Sequence, residues 1–495
     1  MGKRFISFIL IAAMWVTMAA GNLKTSVMAQ DARDGFVEVA VPNGDFESGE
    51  AMPKTVERIP DTMVKIQPGK KFMAPDEVEA LYTDGSKGLL PVVWSGGEVN
   101  AVNTDAPGNY TVTGSVASGA KKHTALLNVT VVDPSDLVQE VQTDAMGQVD
   151  FNENWQFYLA TRTPAEADGG FVNGVKDAGD YTTAEIIAED FDDTDFRTVD
   201  VPHDFSIEGK KVSSSVDSQA YLQGGLGWYR KKFMAPASLR GKTVAIDFEG
   251  VYQNSVVYLN GKEVGSYPSG YTGFALDITE DIKYGSENVL GVKVQNMSPS
   301  GRWYTGSGIT RPVHLTVDNP AHFNRNGITL LTPNLKTEYQ GGGAISLDVK
   351  ADGYSDAGNS NARMHVSVYD ASGNLVGEKQ SGVTAINPST AFSLSLTGAN
   401  AVEIPKNKIK LWNPWNLGEP NLYKVKVELF TEANGSADGY VLSDSEEIEY
   451  GFRWVEIEES TDDPDSGGLY VNGVYTKVQG VDLHHDAGAL GAASY

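Results

Sequence analysis

The chain has 495 residues, 41% hydrophobic and 21% charged, with 53 glycines and 21 prolines, which at ~100–200 residues per domain means several folded units rather than one core. A formal charge of −26, with no long Lys/Arg cluster, argues against nucleic acid and anionic membrane surfaces as partners, whereas a neutral sugar is compatible. The lack of any cysteine excludes disulfides, thiolate catalysis, zinc–thiolate sites and Fe–S clusters, and seven scattered histidines speak against a dedicated metal centre.

Residues 1–29 read as a secretory signal. Lys3 and Arg4 precede an apolar run from Phe5 to Ala20, and Val27-Met28-Ala29 supplies small residues for cleavage. The apolar run falls short of the ~20 residues that span a bilayer, so the expectation is a secreted or cell-surface bacterial protein, not membrane insertion. Residues 30–61, polar and punctuated by Pro and Gly, are expected to be a linker.

Over 62–133 apolar side chains alternate in short runs, "MVKIQP", "EVEALYTDGS", "LLPVVWSG", "GNYTVTGSV" and "ALLNVTVVD", separated by the turn signals Asp84-Gly85 and Pro107-Gly108. Strands at this spacing suit a small β-sandwich. The run Tyr82–Gly85, Pro91–Trp94, Pro107–Gly114 resembles bacterial immunoglobulin-like repeats, which implies a spacer or a binder but no chemistry.

A larger β unit is expected over 146–318. "TVAIDFEGVYQNSVVYLNGKEVGSY" gives two alternating strands around Asn260-Gly261, a strong hairpin signal. Residues 324–457 repeat the alternation in "AISLDVKA", "ARMHVSVYDASGNLV" and "LYKVKVELF", as a second immunoglobulin-like sandwich would. Asp463–Gly468 then breaks the pattern before "LYVNGVYTKVQGVDLHHD". The fold class is therefore mainly β, with several sandwich domains.

Read together, ordered motifs over 146–495 resemble glycoside hydrolase family 2, in its β-galactosidase branch. "FNENWQFYL", "VDVPHDFSIEG", "GGLGWYRKKF", "FEGVYQNSVVYLNGKEVG" and "SGRWYTGSGITRPVHL" are similar to successive segments of the family's jelly-roll sugar-binding domain. "LWNPWNLGEPNLYKVKVEL" is similar to its Trp-Pro…Pro-Leu-Tyr segment, and "LYVNGVYTKVQGVDLHHDAGALGA" resembles the first strand and loop of its catalytic (β/α)8 barrel. Phe205 stands where a tryptophan is common. A barrel takes ~250 residues; 29 follow Ser466. Residues 467–495 are accordingly expected to be a truncated barrel start.

What the resemblance implies is a secreted retaining β-galactosidase acting on terminal β-galactosides, with a β-galactoside oligosaccharide or glycan as partner. A β-glucuronidase or β-mannosidase of the same family, or a non-catalytic carbohydrate-binding surface protein, are the alternatives. Retention needs two carboxyls ~5–5.5 Å apart. In the family these are glutamates later in the barrel, so no catalytic residue is assigned here and this chain alone is expected to be inactive. Relatives use Mg²⁺ or a monovalent cation through barrel ligands; no cofactor and no metal are assigned to this chain.

The resemblance makes His484 a ligand of substrate hydroxyls. On a strand over 476–484, alternation sets Val478, Gly480, Asp482 and His484 on one face, with the polar pair toward the barrel mouth. His485 and Asp486 are further substrate-binding candidates, or a solvated turn. A metal held by His-His-Asp is disfavoured, because adjacent strand residues point apart. In the sugar-binding domain Asp204 could accept from sugar hydroxyls or cap a loop. Arg302 and Trp303 belong to the loop Arg302–Gly308 of the same domain; Trp303 could face a sugar or pack between domains. Trp155, Trp228 and Trp412 are expected in cores. Linkage preference and oligomeric state are not legible.

Overall fold

In the alternating segments every second side chain is apolar, and the computed structural model turns those segments into sheets. It describes residues 26–31, 35–40, 55–70, 72–83, 87–161, 180–208, 222, 224–296, 306–358, 360–414, 417–433, 439–458 and 467–480. The chain divides into two compact units.

The first unit takes in Met1–Pro60, Pro75–Val93 and Ser115–Ala125. Its strands Val56–Arg58 and Lys87–Trp94 both pair antiparallel with Glu77–Tyr82. Val56, Val78, Ala80, Val92, Val116 and Ala125 are its buried apolar residues. A separate hairpin joins Ser26–Asp31 to Gly35–Ala40.

The second unit holds Asp61–Ala74, Trp94–Gly114 and Leu126–Tyr495. Near its start, Thr62–Ile66 runs parallel to residues 127–131 over a small core of Val112, Leu127 and Val129. A six-residue helix, Gly96–Ala101, interrupts the strands; Ser95 caps it by accepting from the Glu98 amide. No sequence period announced so short a helix.

The jelly roll follows. Gly225–Ala235 is flanked by Trp155–Thr161 and Ser286–Asn296, and the sheet continues through Ser255–Leu259 to Lys262–Tyr267. A second sheet orders Gly147–Asp150, Val313–Asp318, Thr243–Phe248 and Phe274–Asp277. Between them lies a core containing Phe151, Trp155, Tyr229, Phe248, Val292 and Leu315, each such burial contributing roughly 1.5–3 kcal/mol. Asn260 and Gly261 both have positive φ, 51° and 82°, as the tight hairpin turn demands.

Gly225–Ala235 is buried on both faces, because residues 181–196 cover its outer side with Tyr181, Ile186, Phe191 and Phe196 around Trp228. Alternation is consequently invisible there. Trp155 and Trp228 are core as expected; Trp412 is only half-buried, with the Arg453 guanidinium 4.8 Å from its ring.

The next sandwich packs the sheet of Ala321–Leu331, Ala344–Ser355 and Thr390–Leu396 against that of Leu375–Gln380, Ser360–Tyr369, Tyr423–Glu432 and Tyr440–Tyr450. Ile345, Leu347, Val349 and Ala351 face its core from one strand.

Beyond it, Gly468–Val471 pairs antiparallel with Val455–Glu458 and with Val474–Tyr475. Residues 476–480 are described without strand pairing, and Val478 is 75% exposed. The expected barrel strand over 476–484 therefore lacks a ladder in its described half. At its start the Thr476 amide donates to Leu469 O (2.7 Å) in Gly468–Val471, but 476–480 pair with no strand as a ladder. Residues 481–495 lie outside the described residues.

Candidate functional site

Loops meet at one end of the jelly roll, and short backbone ladders join them. The His203 amide donates to Ile309 O (2.7 Å) and the Phe205 amide to Ser307 O (2.8 Å), so 203–205 runs beside 307–309. On the other side, Val251 and Tyr252 pair with Ile309 and Gly308. Gly308 has φ of +136°, and a Cβ there would lie 2.4 Å from His203 O and 2.5 Å from the Tyr229 hydroxyl. Only glycine lets the three segments close up.

Asp204 is 2% exposed. Its Oδ1 accepts from the Ser206 amide and from the Ser307 amide, both at 2.9 Å. The first bond closes the turn; the second crosses to the other loop. Ser206 Oγ donates to Ser307 Oγ (2.7 Å), and Asn296 Nδ2 donates to Gly306 O (2.7 Å) and Ser307 Oγ (2.8 Å). Gln253 Nε2 reaches Asn296 Oδ1 at 3.4 Å. A continuous buried polar network thus runs from Asp204 through Ser307 and Asn296 to Gln253. Such networks fix geometry when their members are satisfied.

At the rim sits a charged cluster. The His203 ring joins the Tyr229 hydroxyl through Nδ1 (2.8 Å) and Glu208 through Nε2 (2.9 Å), while Arg197 pairs with Glu208. The guanidinium lies 4.9 Å from the centre of the Phe157 ring, and that ring meets His203 edge-on at 4.8 Å. Burial works against the charge on Glu208, yet the His203 hydrogen bond and the Arg197 charge outweigh it and hold the carboxyl at about 2. Burial pushes the Tyr229 hydroxyl well above its ordinary value, and Glu208 adds to that. His203 can accept or donate; Glu208 stays an anion across any physiological pH.

That anion has a testable signature. Because the folded value lies below the unfolded one, the unfolded chain takes up the proton first as pH falls. The stabilisation is full above about pH 4.3 and disappears as pH drops through about 2. Glu208→Gln is expected to flatten the acid limb of the stability curve, by about 1 kcal/mol once solvent screening of this partly exposed side chain is allowed for. Urea midpoints measured from pH 6 to pH 2.5 check it; parallel curves for the two proteins would contradict the assignment.

Of the residues singled out from sequence, Asp204 falls within this cluster, and the described end of the Arg302–Gly308 loop, residues 306–308, is bonded to it. Arg302 and Trp303 lie outside the described residues, as do Asp482, His484, His485 and Asp486. His203, Glu208 and Arg197 were not anticipated. The "VPHD" motif puts His203 next to Asp204, but nothing in sequence indicates that Arg197 and Glu208 converge on it.

Elsewhere a polar cleft of about 310 Å³ is lined by residues including Lys65, Asn109, Thr130, Asp136, Glu153 and Asn154. Its lining contains no aromatic ring, and Lys65 there is already committed to Asn154 (3.2 Å) and Asp200 (2.7 Å). Among the described residues no group of three or more His, Asp or Glu could hold a metal, and no helix there is long and apolar enough to cross a membrane.

Comparison with known proteins follows the same order of domains. Residues 59–120 match the bacterial Ig-like domain (group 4), residues 176–329 the glycosyl hydrolases family 2 sugar binding domain, and residues 329–453 a second domain described as glycosyl hydrolases family 2. A putative beta-glucuronidase of Formosa agariphila is 31% identical over 349 residues, 70% of this chain and 28% of the relative. A beta-galactosidase of Bacteroides ovatus is 32% identical over 348 residues, 70% of this chain and 35% of the relative. The chain thus spans about a third of the length of these curated relatives. A crystal structure of a glycosyl hydrolase family 2 member from Bacteroides cellulosilyticus superposes with a TM-score of 0.55 at 27% identity, covering 71% of this chain and 42% of that one.

Proposed function

Because the chain belongs to glycoside hydrolase family 2, we propose that it supplies the accessory domains of an exported, retaining β-galactosidase acting on terminal β-galactosides. The observation that carries this reading is the family match in order over 176–453, with a loop cluster at one end of the sugar-binding sandwich. Preference for galactosides rests on the resemblance of "LHHDAGALGA" to the galactosidase branch. A β-glucuronidase is the second reading, favoured by relatives that carry that name.

In this proposal the chain binds and positions glycan but does not cleave it. Retaining hydrolysis takes an acid/base and a nucleophile about 5–5.5 Å apart, and the segments that would bring the family's two glutamates are not among the residues matched. The expected roles of His484 and Asp482 are to bond substrate hydroxyls at the barrel mouth, with Arg302 and Trp303 leaning in from the sugar-binding domain. Export is proposed to remove residues up to about Ala29, leaving a secreted or cell-surface protein whose 62–133 domain acts as a spacer.

The purified 495-residue chain is expected to show no turnover of aryl β-galactosides or β-glucuronides, which a chromogenic assay reads directly. Turnover at glycosidase-like rates from a clean preparation would defeat the assignment of catalysis to absent segments. The gene sequence beyond the Tyr495 codon separates the classes. A barrel with an Asn-Glu pair supports the glycosidase, and an immediate stop codon favours a non-catalytic carbohydrate-binding protein.

A further inference from the structure

The loop Pro268–Gly273 carries an aromatic ring at its surface. Tyr271 is 50% exposed. Single exposed aromatics are ordinary on protein surfaces, so exposure alone says little. What sets Tyr271 apart is how much local structure fixes it.

Its ring meets that of Tyr252 edge-to-face, with centroids 5.3 Å apart at 81°, and Tyr252 is itself buried. The loop can cross Tyr252 only because residue 270 is glycine: a Cβ there would stand 1.9 Å from the Tyr252 ring. Gly273 is under similar constraint, since a Cβ would come within 2.8 Å of Phe248 O and 3.0 Å of Glu249 O. A hydroxyl chain orders the loop from within. Thr272 Oγ1 lies 2.8 Å from the Tyr267 hydroxyl and donates to Ser269 Oγ (3.1 Å), while the Tyr271 amide also donates to Ser269 Oγ (3.3 Å). At the base, Tyr267 stacks on Phe274 (4.5 Å, 22°) and Phe274 on Phe248 (5.0 Å, 20°).

The placement matters as much as the rigidity. Tyr252 pairs across the backbone with Gly308, the residue that also abuts His203 and Tyr229. Tyr271 therefore stands one strand pair away from the cluster that holds Asp204 and the end of the Arg302–Gly308 loop. A held aromatic ring offers an apolar face at little entropic cost, and hydroxyls beside it offer polar contacts. A pyranoside has the matching chemistry, with one C–H-lined face and a rim of hydroxyls.

We propose that Tyr271, braced by Tyr252, is a stacking contact for a β-linked saccharide at the loop end of the sugar-binding sandwich. The proposal rests on the glycosidase reading for its ligand class, but it is read by binding rather than by hydrolysis. A failed turnover assay cannot imitate its failure, and its failure leaves that assay untouched.

The test uses the full chain with lactose, methyl β-galactoside and methyl β-glucuronide as probes, in saturation-transfer NMR and titrations of wild type, Tyr271→Phe and Tyr271→Ala. Tyr271→Phe is expected to keep the unfolding midpoint, and Tyr271→Ala to lower it by the lost edge-to-face contact with Tyr252 without unfolding the domain. At least one probe is expected to receive transfer from wild type. Tyr271→Phe should bind it within about twofold of wild type, and Tyr271→Ala about tenfold more weakly. Equal binding by Tyr271→Ala and wild type, or no transfer to any of the three probes, would overturn the proposal.

Discussion

Asp204→Ala is expected to destabilise the sugar-binding sandwich by about 2–4 kcal/mol, because it strands two buried amide donors at once. The Ser206 and Ser307 amides both donate to Oδ1 of a side chain that is 2% exposed. Alanine brings no acceptor for either amide. The effect should spread along the network, since Ser307 Oγ also receives bonds from Ser206 and Asn296. Asp204→Asn retains a carbonyl oxygen at the same place and should recover more than half of the loss. Urea unfolding followed by tryptophan fluorescence reads the transition, with Trp155 and Trp228 buried in this domain. The two roles open to Asp204 from sequence give opposite results. A carboxylate that braces loops loses stability on truncation; one that mainly meets sugar hydroxyls would keep stability and lose saccharide binding. Unchanged stability with abolished binding would therefore reverse the present assignment of its bonds.

The residues that were legible in sequence share a physical trait: their environment repeats along the chain. Ala344–Ser355 alternates buried and open because one face meets the core, and Asn260-Gly261 announces its turn because both residues need positive φ. The jelly roll's middle strand was harder. Trp228, Arg230 and Lys232 alternate with Tyr229 and Lys231, yet most of Gly225–Ala235 is buried because a second layer covers it. Period alone cannot report a layer supplied by residues 181–196. The loop cluster was harder still. Asp204 and Ser307 are 103 residues apart in sequence, and neither Gly308 nor Gly270 reveals from composition which backbone or ring it must let pass. "VPHD" singles out Asp204 by family likeness, but nothing in it indicates the bonds that His203 and Asp204 make.

The layer that hides Gly225–Ala235 also holds the ion pair whose disruption should cost most. Arg230 is fully buried, and its Nε donates to Asp193 Oδ2 at 3.0 Å; Nη1 donates to Ile186 O and, at 3.3 Å, to Ala188 O. Lys232 Nζ reaches the other oxygen of Asp193 at 3.2 Å, and the guanidinium lies 5.3 Å from the centre of the Phe191 ring. Asp193→Ala removes the counter-charge and leaves the cation with backbone carbonyls alone. Lys232 is 25% exposed in its side chain and can turn to water, but Arg230 at 0% cannot. Breaking such a pair from one side costs about 3–5 kcal/mol, enough to unfold residues 181–196 from the sheet before the sandwich itself melts. Hydrogen exchange at the amides of 186–191 should accelerate accordingly. The companion variant decides the mechanism. If the loss comes from an uncompensated buried charge rather than from missing attraction, replacing both members by apolar groups should be milder than replacing one. Asp193→Leu combined with Arg230→Met is therefore expected to be more stable than Asp193→Ala alone. A double variant less stable than the single one would show instead that the bonds of Arg230 to Ile186 and Ala188, not its charge balance, keep this layer on the sheet.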